Sequence, residues 1–314
     1  MKVIYFGTPD IAANVLEFLL ANGVNVAAVV TKPDRPKGRS LTPIATAVKV
    51  KALNHQPPIP VYQPELVSAI EFAPILEKYD ADLFVVVAYG EIMKQYLLDM
   101  PKLGSINLHA SLLPKYRGAA PIQRSIIDGE ALSGVTIMHM AKKMDAGDII
   151  KIATVKIEPN MTAGELTDEL CTVGSKALLD VIHDFEKGII NRIPQDHSQA
   201  TFAPKIELED CELKWDLSAQ ELHNLTRGVN PEPGSFCYVT VKGEKKRLKI
   251  RATRVEADMS GIPGQILLAE KEGIVVACKI QALRIIDLQL EGKKAMSIGD
   301  FLRGISAEEL NFIL

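Results

Sequence analysis

Residues 82–88 read Asp-Leu-Phe-Val-Val-Val-Ala, an apolar run with no polar alternation. A strand of this kind is buried on both faces, the situation of a central strand in a parallel sheet covered by helices. The segments around it fit that frame. Lys2-Val-Ile-Tyr-Phe6 is a short apolar run ending at Gly7-Thr8-Pro9-Asp10. Ile11, Val15, Leu16, Leu19 and Leu20 then recur at helical spacing until Asn22-Gly23, and a second strand runs from Val24 to Val30. Thr8 or Asp10 is expected to cap this helix, with Pro9 in its first turn.

Further helices are expected over 65–78, 91–98, 120–128 and 162–186. Strands are expected over 104–108, 134–140 and 149–157, the last two as a β-ribbon. Strand–helix alternation in this order predicts an α/β fold, a doubly wound Rossmann-like parallel sheet. Its first turn offers Gly7 alone, so the G-x-G-x-x-G dinucleotide fingerprint is absent and NAD is not an expected ligand.

A chain of 314 residues is long for one core, so two domains are expected. The pattern fades between Lys187 and Lys205, where Gly188, Asn191, Pro194 and the polar run from Gln195 to Gln199 have the composition of a connection. Beyond it lie short apolar runs at 235–241, 248–254, 264–268 and 273–279, separated by turns. They predict a small C-terminal β-barrel, OB-like in kind. The expected organisation is a catalytic domain over 1–188, a linker over 189–206 and the barrel over 207–314.

No apolar stretch reaches the ~18 residues of a membrane span, and the start lacks the long apolar region and cleavage site of a secretion signal. The four cysteines, Cys171, Cys211, Cys237 and Cys278, are scattered, without C-x-x-C pairs or histidines at zinc-ligand spacing. Free thiols, no metal and a cytoplasmic location are expected. The formal net charge of −3 argues against a protein that coats nucleic acid without specificity, although a local basic patch can still meet one.

One constellation names a chemistry. Asn107-Leu-His109 is followed by Ala110-Ser111-Leu112-Leu113-Pro114, by Lys115-Tyr116-Arg117-Gly118, and later by Asp145-Ala146-Gly147-Asp148. Asn107 and His109 are two apart on a strand, so their side chains share one face. An amide donates to a developing oxyanion, an imidazole carries or moves a proton, and a carboxylate orients the ring and stabilises its charged form. These are the needs of direct acyl transfer without a Ser or Cys nucleophile. Asp148 reads as a turn residue and His139 as a core or rim histidine.

The pattern resembles the folate-dependent formyltransferases over about forty residues. Among them the rest of the chain resembles the branch that formylates methionyl-tRNA. That resemblance implies that Asn107, His109 and Asp145 are catalytic. It implies that Ala88, Tyr89 and Gly90, with Ser111, Leu112, Leu113 and Pro114, embrace a reduced folate. The implied reaction moves the formyl group of 10-formyltetrahydrofolate to the free α-amine of methionyl-initiator tRNA. The attack is direct and passes through a tetrahedral intermediate that Asn107 and His109 stabilise, with Asp145 supporting His109.

Two segments bear on the acceptor. Residues 31–43 hold four basic residues against one acidic and resemble the tRNA-contacting loop of that branch, which implies contacts by Arg35, Lys37 and Arg39. Residues 242–251 hold six basic residues against one acidic, and Lys245, Lys246 and Arg247 are expected to meet acceptor-stem phosphates. Residues 207–314 nevertheless carry 17 acids against 15 bases, so any basic face there is local. The expected partners are the initiator tRNA and the folate co-substrate, met by a monomer with no membrane attachment. A sugar-nucleotide N-formyltransferase and a formyltetrahydrofolate hydrolase are the alternatives.

Overall fold

The computed structural model describes residues 1–36 and 42–313. Two compact units emerge. The first comprises Met1–Pro121, Leu132–Lys156 and Thr167–Ala203, and the second Ile122–Ala131, Ile157–Leu166 and Pro204–Leu314.

In chain order the first elements are β1 (Val3–Gly7), α1 (Asp10–Ala21), β2 (Val26–Val30), the two-residue strands β3 (Arg35–Pro36) and β4 (Pro43–Ile44), α2 (Ala47–Asn54) and β5 (Val61–Tyr62). Next come α3 (Ala73–Glu77), β6 (Leu83–Val87), α4 (Gln95–Leu98), β7 (Ser105–His109), β8 (Arg117–Gly118) and α5 (Pro121–Ile127). The hairpin strands β9 (Leu132–His139) and β10 (Ile149–Lys156), the long helix α6 (Ala163–Glu186) and β11 (Phe202–Ala203) follow.

The main sheet has the order β10-β9-β7-β6-β1-β2-β5. β1 pairs in parallel with both β2 and β6, β6 pairs in parallel with β7, and β9 runs antiparallel to β7. Every residue of β1 and β6 is buried, as their unbroken apolar sequences require. Ile4, Phe6, Phe84, Val86, Leu76 and Leu97 meet in one core cluster. The chain order reverses beside β1, between the branch through β2 and the branch through β6. In open α/β sheets the crevice at such a reversal, outside the strands' carboxyl ends, receives ligands.

Three local expectations differ from the structure. Helix α1 is preceded by Pro9 as N-cap with no side-chain cap, because the Thr8 hydroxyl donates instead to the Tyr89 carbonyl at 3.1 Å. The expected helix over 65–78 shrinks to a 3-10 turn at Ile70–Phe72 and α3. The helix expected over 91–98 shrinks to α4. The last two have one cause. The Val67 amide donates to Glu91 Oε1 at 2.8 Å and the Lys94 amide to Ser68 Oγ at 3.0 Å, so the two stretches satisfy each other's polar groups rather than their own helical ladders.

The second unit contains α7 (Ala219–Gly228), β12 (Ser235–Val241), β13 (Glu244–Glu256), β14 (Ile266–Glu270), β15 (Gly273–Ala277), β16 (Ala282–Leu290), β17 (Met296–Ser297), α8 (Ile298–Gly304) and β18 (Leu310–Phe312). Its antiparallel sheet has the order β14-β15-β16-β13-β12-β18, with β17 added at β16, and forms a nearly closed barrel. Trp215, Leu222, Phe236, Leu248, Ile250, Val276 and Ile285 fill its core. Helix α7 opens with a full capping box: Ser218 Oγ accepts from the Glu221 amide, and the Ser218 amide donates to Glu221 Oε2.

Candidate active site

Strand β7 sets the site. Its registers against β6 (Val87↔Leu108) and β9 (His109↔Thr136) put three features together at the carboxyl end of β7: residues 88–90, His109, and the loop 110–116. That loop hangs on Thr136, which is fully buried. Thr136 Oγ1 donates to the Ser111 carbonyl at 2.7 Å and accepts from the Leu113 amide at 3.1 Å. Ser111 Oγ donates to the Lys115 carbonyl at 2.7 Å, and Leu113 packs with Met138 and Ile149. The loop bearing Ser111, Leu112, Leu113 and Pro114 is thereby tied down at both ends.

His109 is buried, and its Nε2 lies 2.9 Å from the Tyr116 carbonyl. A carbonyl only accepts, so Nε2 carries a proton. Nδ1 faces Asp145 Oδ2 at 3.8 Å, within ion-pair range but longer than a hydrogen bond. The same Oδ2 accepts from the Gly118 amide at 2.8 Å. Asp145 reaches His109 by a detour. The loop between β9 and β10 leaves the sheet beside Ser105, where the Met140 amide donates to the Ser105 carbonyl at 2.8 Å, and then folds back. Asn107 is half-buried and shares the face of β7 with His109.

Six non-glycine residues among those described have positive φ, and three of them, Ala88 (46°), Tyr116 (59°) and Asp145 (51°), belong to this site. Such conformations cost of order 1–3 kcal/mol each and concentrate where function demands a fixed geometry. Gly147 is forced by a different contact: a Cβ there would lie 1.8 Å from the His139 carbonyl oxygen.

Residues 88–90 form the rim expected to meet a folate. Ala88 and Gly90 are exposed, and a Cβ added at Gly90 would meet nothing within 4 Å, so the chain leaves open space there. Tyr89 between them is buried, with its hydroxyl unpartnered among the described residues and its pKa pushed up by desolvation, with Glu91 adding to the effect. Lys32 lies 5.4 Å from the centre of the Tyr89 ring and pairs with Glu91.

The remaining sequence candidates lie elsewhere. Arg35 is exposed and paired with the equally exposed Glu65 at 2.5 Å. Lys37 and Arg39 lie outside the described residues. In β13 the side chains alternate, so Lys245 and Arg247 share the outward face with Lys249 and Arg251, while Lys246 lies on the other face and pairs with Glu244 at 3.0 Å. Lys245 sits 4.3 Å from the Tyr238 ring centre and Arg247 3.7 Å from that of Phe236. A cavity of about 90 Å³ beside this face is lined by Asn230, Pro231, Gly234, Lys249, Ile250 and Arg251. Lys249 and Arg251 were not singled out from the sequence. Period-2 alternation within the basic run is the signal that separates them from Lys246.

His139 Nε2 donates to the Asn191 carbonyl at 3.1 Å and the ring stacks on Phe185, and burial lowers its pKa. Asp148 Oδ2 lies 4.0 Å from Arg192 Nη1. The four cysteines are free thiols, and among the described residues no cluster of His, Cys, Asp and Glu could hold a metal ion. No helix among them is long and apolar enough to cross a membrane.

Comparison with known proteins agrees with this chemistry. The family profile for formyl transferase matches residues 1–182, and that for the formyl transferase C-terminal domain matches residues 205–306. A methionyl-tRNA formyltransferase of Protochlamydia amoebophila is 60% identical over 314 residues, covering 100% of this chain and 98% of that protein. One of Staphylococcus epidermidis is 41% identical over 314 residues, with 100% and 99% covered. Among solved structures, the sugar 3N-formyl transferase WlaRD, studied with dTDP and 5-N-formyl-THF, superposes with a TM-score of 0.68 at 18% identity, covering 94% of this chain and 99% of that one. HypX from Aquifex aeolicus in complex with tetrahydrofolic acid gives a TM-score of 0.65 at 17% identity, and the chain spans 48% of its length and 97% of its own. The two solved structures share the fold. The profiles and the close relatives cover essentially the whole sequence, and the chain belongs to the formyl transferase family.

Proposed function

We propose that this protein transfers the formyl group of 10-formyltetrahydrofolate to the free α-amine of methionyl-initiator tRNA. The observation that carries the reading is the approach of Asp145 to His109 in a chain whose full length is similar to methionyl-tRNA formyltransferases. The co-substrate supplies the formyl carbon. A bond forms from the amine nitrogen to that carbon, the bond from the carbon to N10 breaks, and one proton passes from the amine to N10.

The chain's own groups act around that exchange. The Asn107 amide donates to the formyl oxygen as it gains charge, and the His109 ring supplies a further donor. Asp145 faces Nδ1, so a proton held there is attracted to the carboxylate, while the Gly118 amide fixes that carboxylate in place. The Tyr116 carbonyl holds the ring from its other nitrogen. Ala88, Tyr89 and Gly90, with the Thr136-anchored Ser111, Leu112, Leu113 and Pro114, form the proposed folate rim. The half-buried Leu112 and the exposed backbone at Gly90 suit a flat ring that needs apolar cover and a few main-chain bonds.

For the tRNA, the outward row Lys245, Arg247, Lys249 and Arg251 is the proposed phosphate track, and Arg35, Lys37 and Arg39 are proposed contacts at the acceptor end. Initiator tRNA is charged and used where ribosomes work, which puts the proposed activity in the cytoplasm.

The test is incubation with labelled 10-formyltetrahydrofolate and charged initiator tRNA. Formyl-methionine on the tRNA is the expected product. Label released as formate, or transferred only to an amino-sugar nucleotide, refutes the reading. Asn107→Ala, His109→Ala and Asp145→Ala are each expected to lower kcat by about 10²-fold or more.

A further inference from the structure

Gln195 lies beyond α6, in a stretch whose composition is that of a connection, yet it is only 7% exposed. Its Nε2 donates to the Asp145 carbonyl at 3.0 Å and to the Gly147 carbonyl at 2.7 Å. Its Oε1 accepts from Arg117 Nη2 at 2.5 Å. Arg117 is itself buried and also donates from Nη2 to His197 Nδ1 at 2.9 Å. The next residue, Gly118, is the one whose amide holds the Asp145 carboxylate. One side chain therefore joins the two pieces of backbone that fix Asp145: the turn that carries it and the segment that grips its Oδ2.

The chemistry selects an amide. Two carbonyls need donors and a guanidinium needs an acceptor, and only a carboxamide offers both from one planar group. The turn it holds is strained at Asp145, with φ of 51°, and pressed against the His139 carbonyl at Gly147. Such a turn keeps its shape only when its surroundings over-determine it.

We propose that Gln195 is a positioning residue for formyl transfer, setting the placement of Asp145 against His109. The inference rests on the reading of Asp145 as catalytic. The test uses the full chain and the substitution Gln195→Glu, which keeps the volume and the acceptor for Arg117 but turns a second oxygen toward two carbonyls. The expected result is a kcat about 10- to 100-fold lower, with KM for both substrates within about threefold. In an Asp145→Ala background the same substitution should cost less than about threefold more, because no carboxylate remains to be placed.

A role in folding alone would lower both backgrounds by the same factor. That result, or wild-type kcat in Gln195→Glu, overturns the inference. Should Gln195→Glu fail to fold, Gln195→Met, of similar volume and without charge, is read by the same two-background comparison. If Asp145→Ala itself turns over like wild type, it is the catalytic assignment that fails.

Discussion

Gly147→Ala tests whether the Asp145 turn has any slack. An alanine Cβ at that position would lie 1.8 Å from the His139 carbonyl oxygen and 2.8 Å from its carbon, both backbone atoms. Ordinary contact begins at about 3.4 Å, so the turn and the end of β9 must separate by roughly 1.6 Å. The His139 side is held, since His139 pairs with Ile106 across β7 and the Met140 amide donates to the Ser105 carbonyl at 2.8 Å. The displacement therefore falls mainly on the turn. Carried to Asp145 two residues away, it lengthens the 3.8 Å approach to His109 to about 5 Å. A misplacement of ~1 Å in a reacting constellation can cost about 10²-fold. Forcing a group into packed space typically costs ~1–3 kcal/mol of stability, seen as a melting-temperature drop of several degrees. The assay is kcat at saturating folate and tRNA, with a thermal melt in parallel. Turnover within threefold of wild type with an unchanged melt would show that the turn yields freely and that its geometry is not what aligns Asp145.

Replacing Lys249 and Arg251 together by alanine should weaken tRNA binding and make the slope of log K against log salt shallower by up to about two phosphate contacts, with the KM for folate unchanged; an unaltered slope rules this face out as the phosphate track. Burial is the first cause lowering the pKa of both His139 and His223, so the unfolded chain takes up protons before the folded one does. Stability from these two groups is full above the unfolded value near 6.5 and declines as pH falls through it, and urea unfolding between about pH 7.5 and 5.5 should show that loss, flattened in a His223→Gln variant. Ser218→Ala removes the capping box of α7 and should cost about 1 kcal/mol in denaturant unfolding, while leaving the formylation rate of the folded enzyme unchanged. Gly304→Ala, where a Cβ meets nothing within 4 Å, should be neutral or slightly stabilising in a thermal melt.

Much of the scaffold was legible in the sequence because its signals are local. The unbroken apolar runs of β1 and β6 and the helical spacing of Val15, Leu16 and Leu19 are enough to predict buried parallel strands and a covering helix. The Asn107, His109 and Asp145 triple stood out through residue chemistry and family resemblance together. What was hidden depends on partners far along the chain. The stretch 65–78 carries helical spacing, but its Val67 amide donates to Glu91, and its Ser68 hydroxyl donates to the Ile92 carbonyl and accepts from the Lys94 amide. Gln195 has turn-like neighbours, and its bonds run to residues 48 to 78 positions away. Helix α7 is a different case: Ser218 and Glu221 announce its start, but the polar composition around them gives no apolar run to attract notice.

The pairing of β11 with β8 limits how far this enzyme could be shortened. Tyr116 and Arg117 take their amide partners from Thr201, and Ala120 bonds to the Ala203 carbonyl at 3.1 Å. A fragment ending at Glu186 would keep every proposed reactive group and lose the clasp that holds their neighbours. One ending just past Ala203, some seventeen residues later, would keep both, yet it would still carry Ile122–Ala131 and Ile157–Leu166, which belong to the second unit, so no single cut parts the two units.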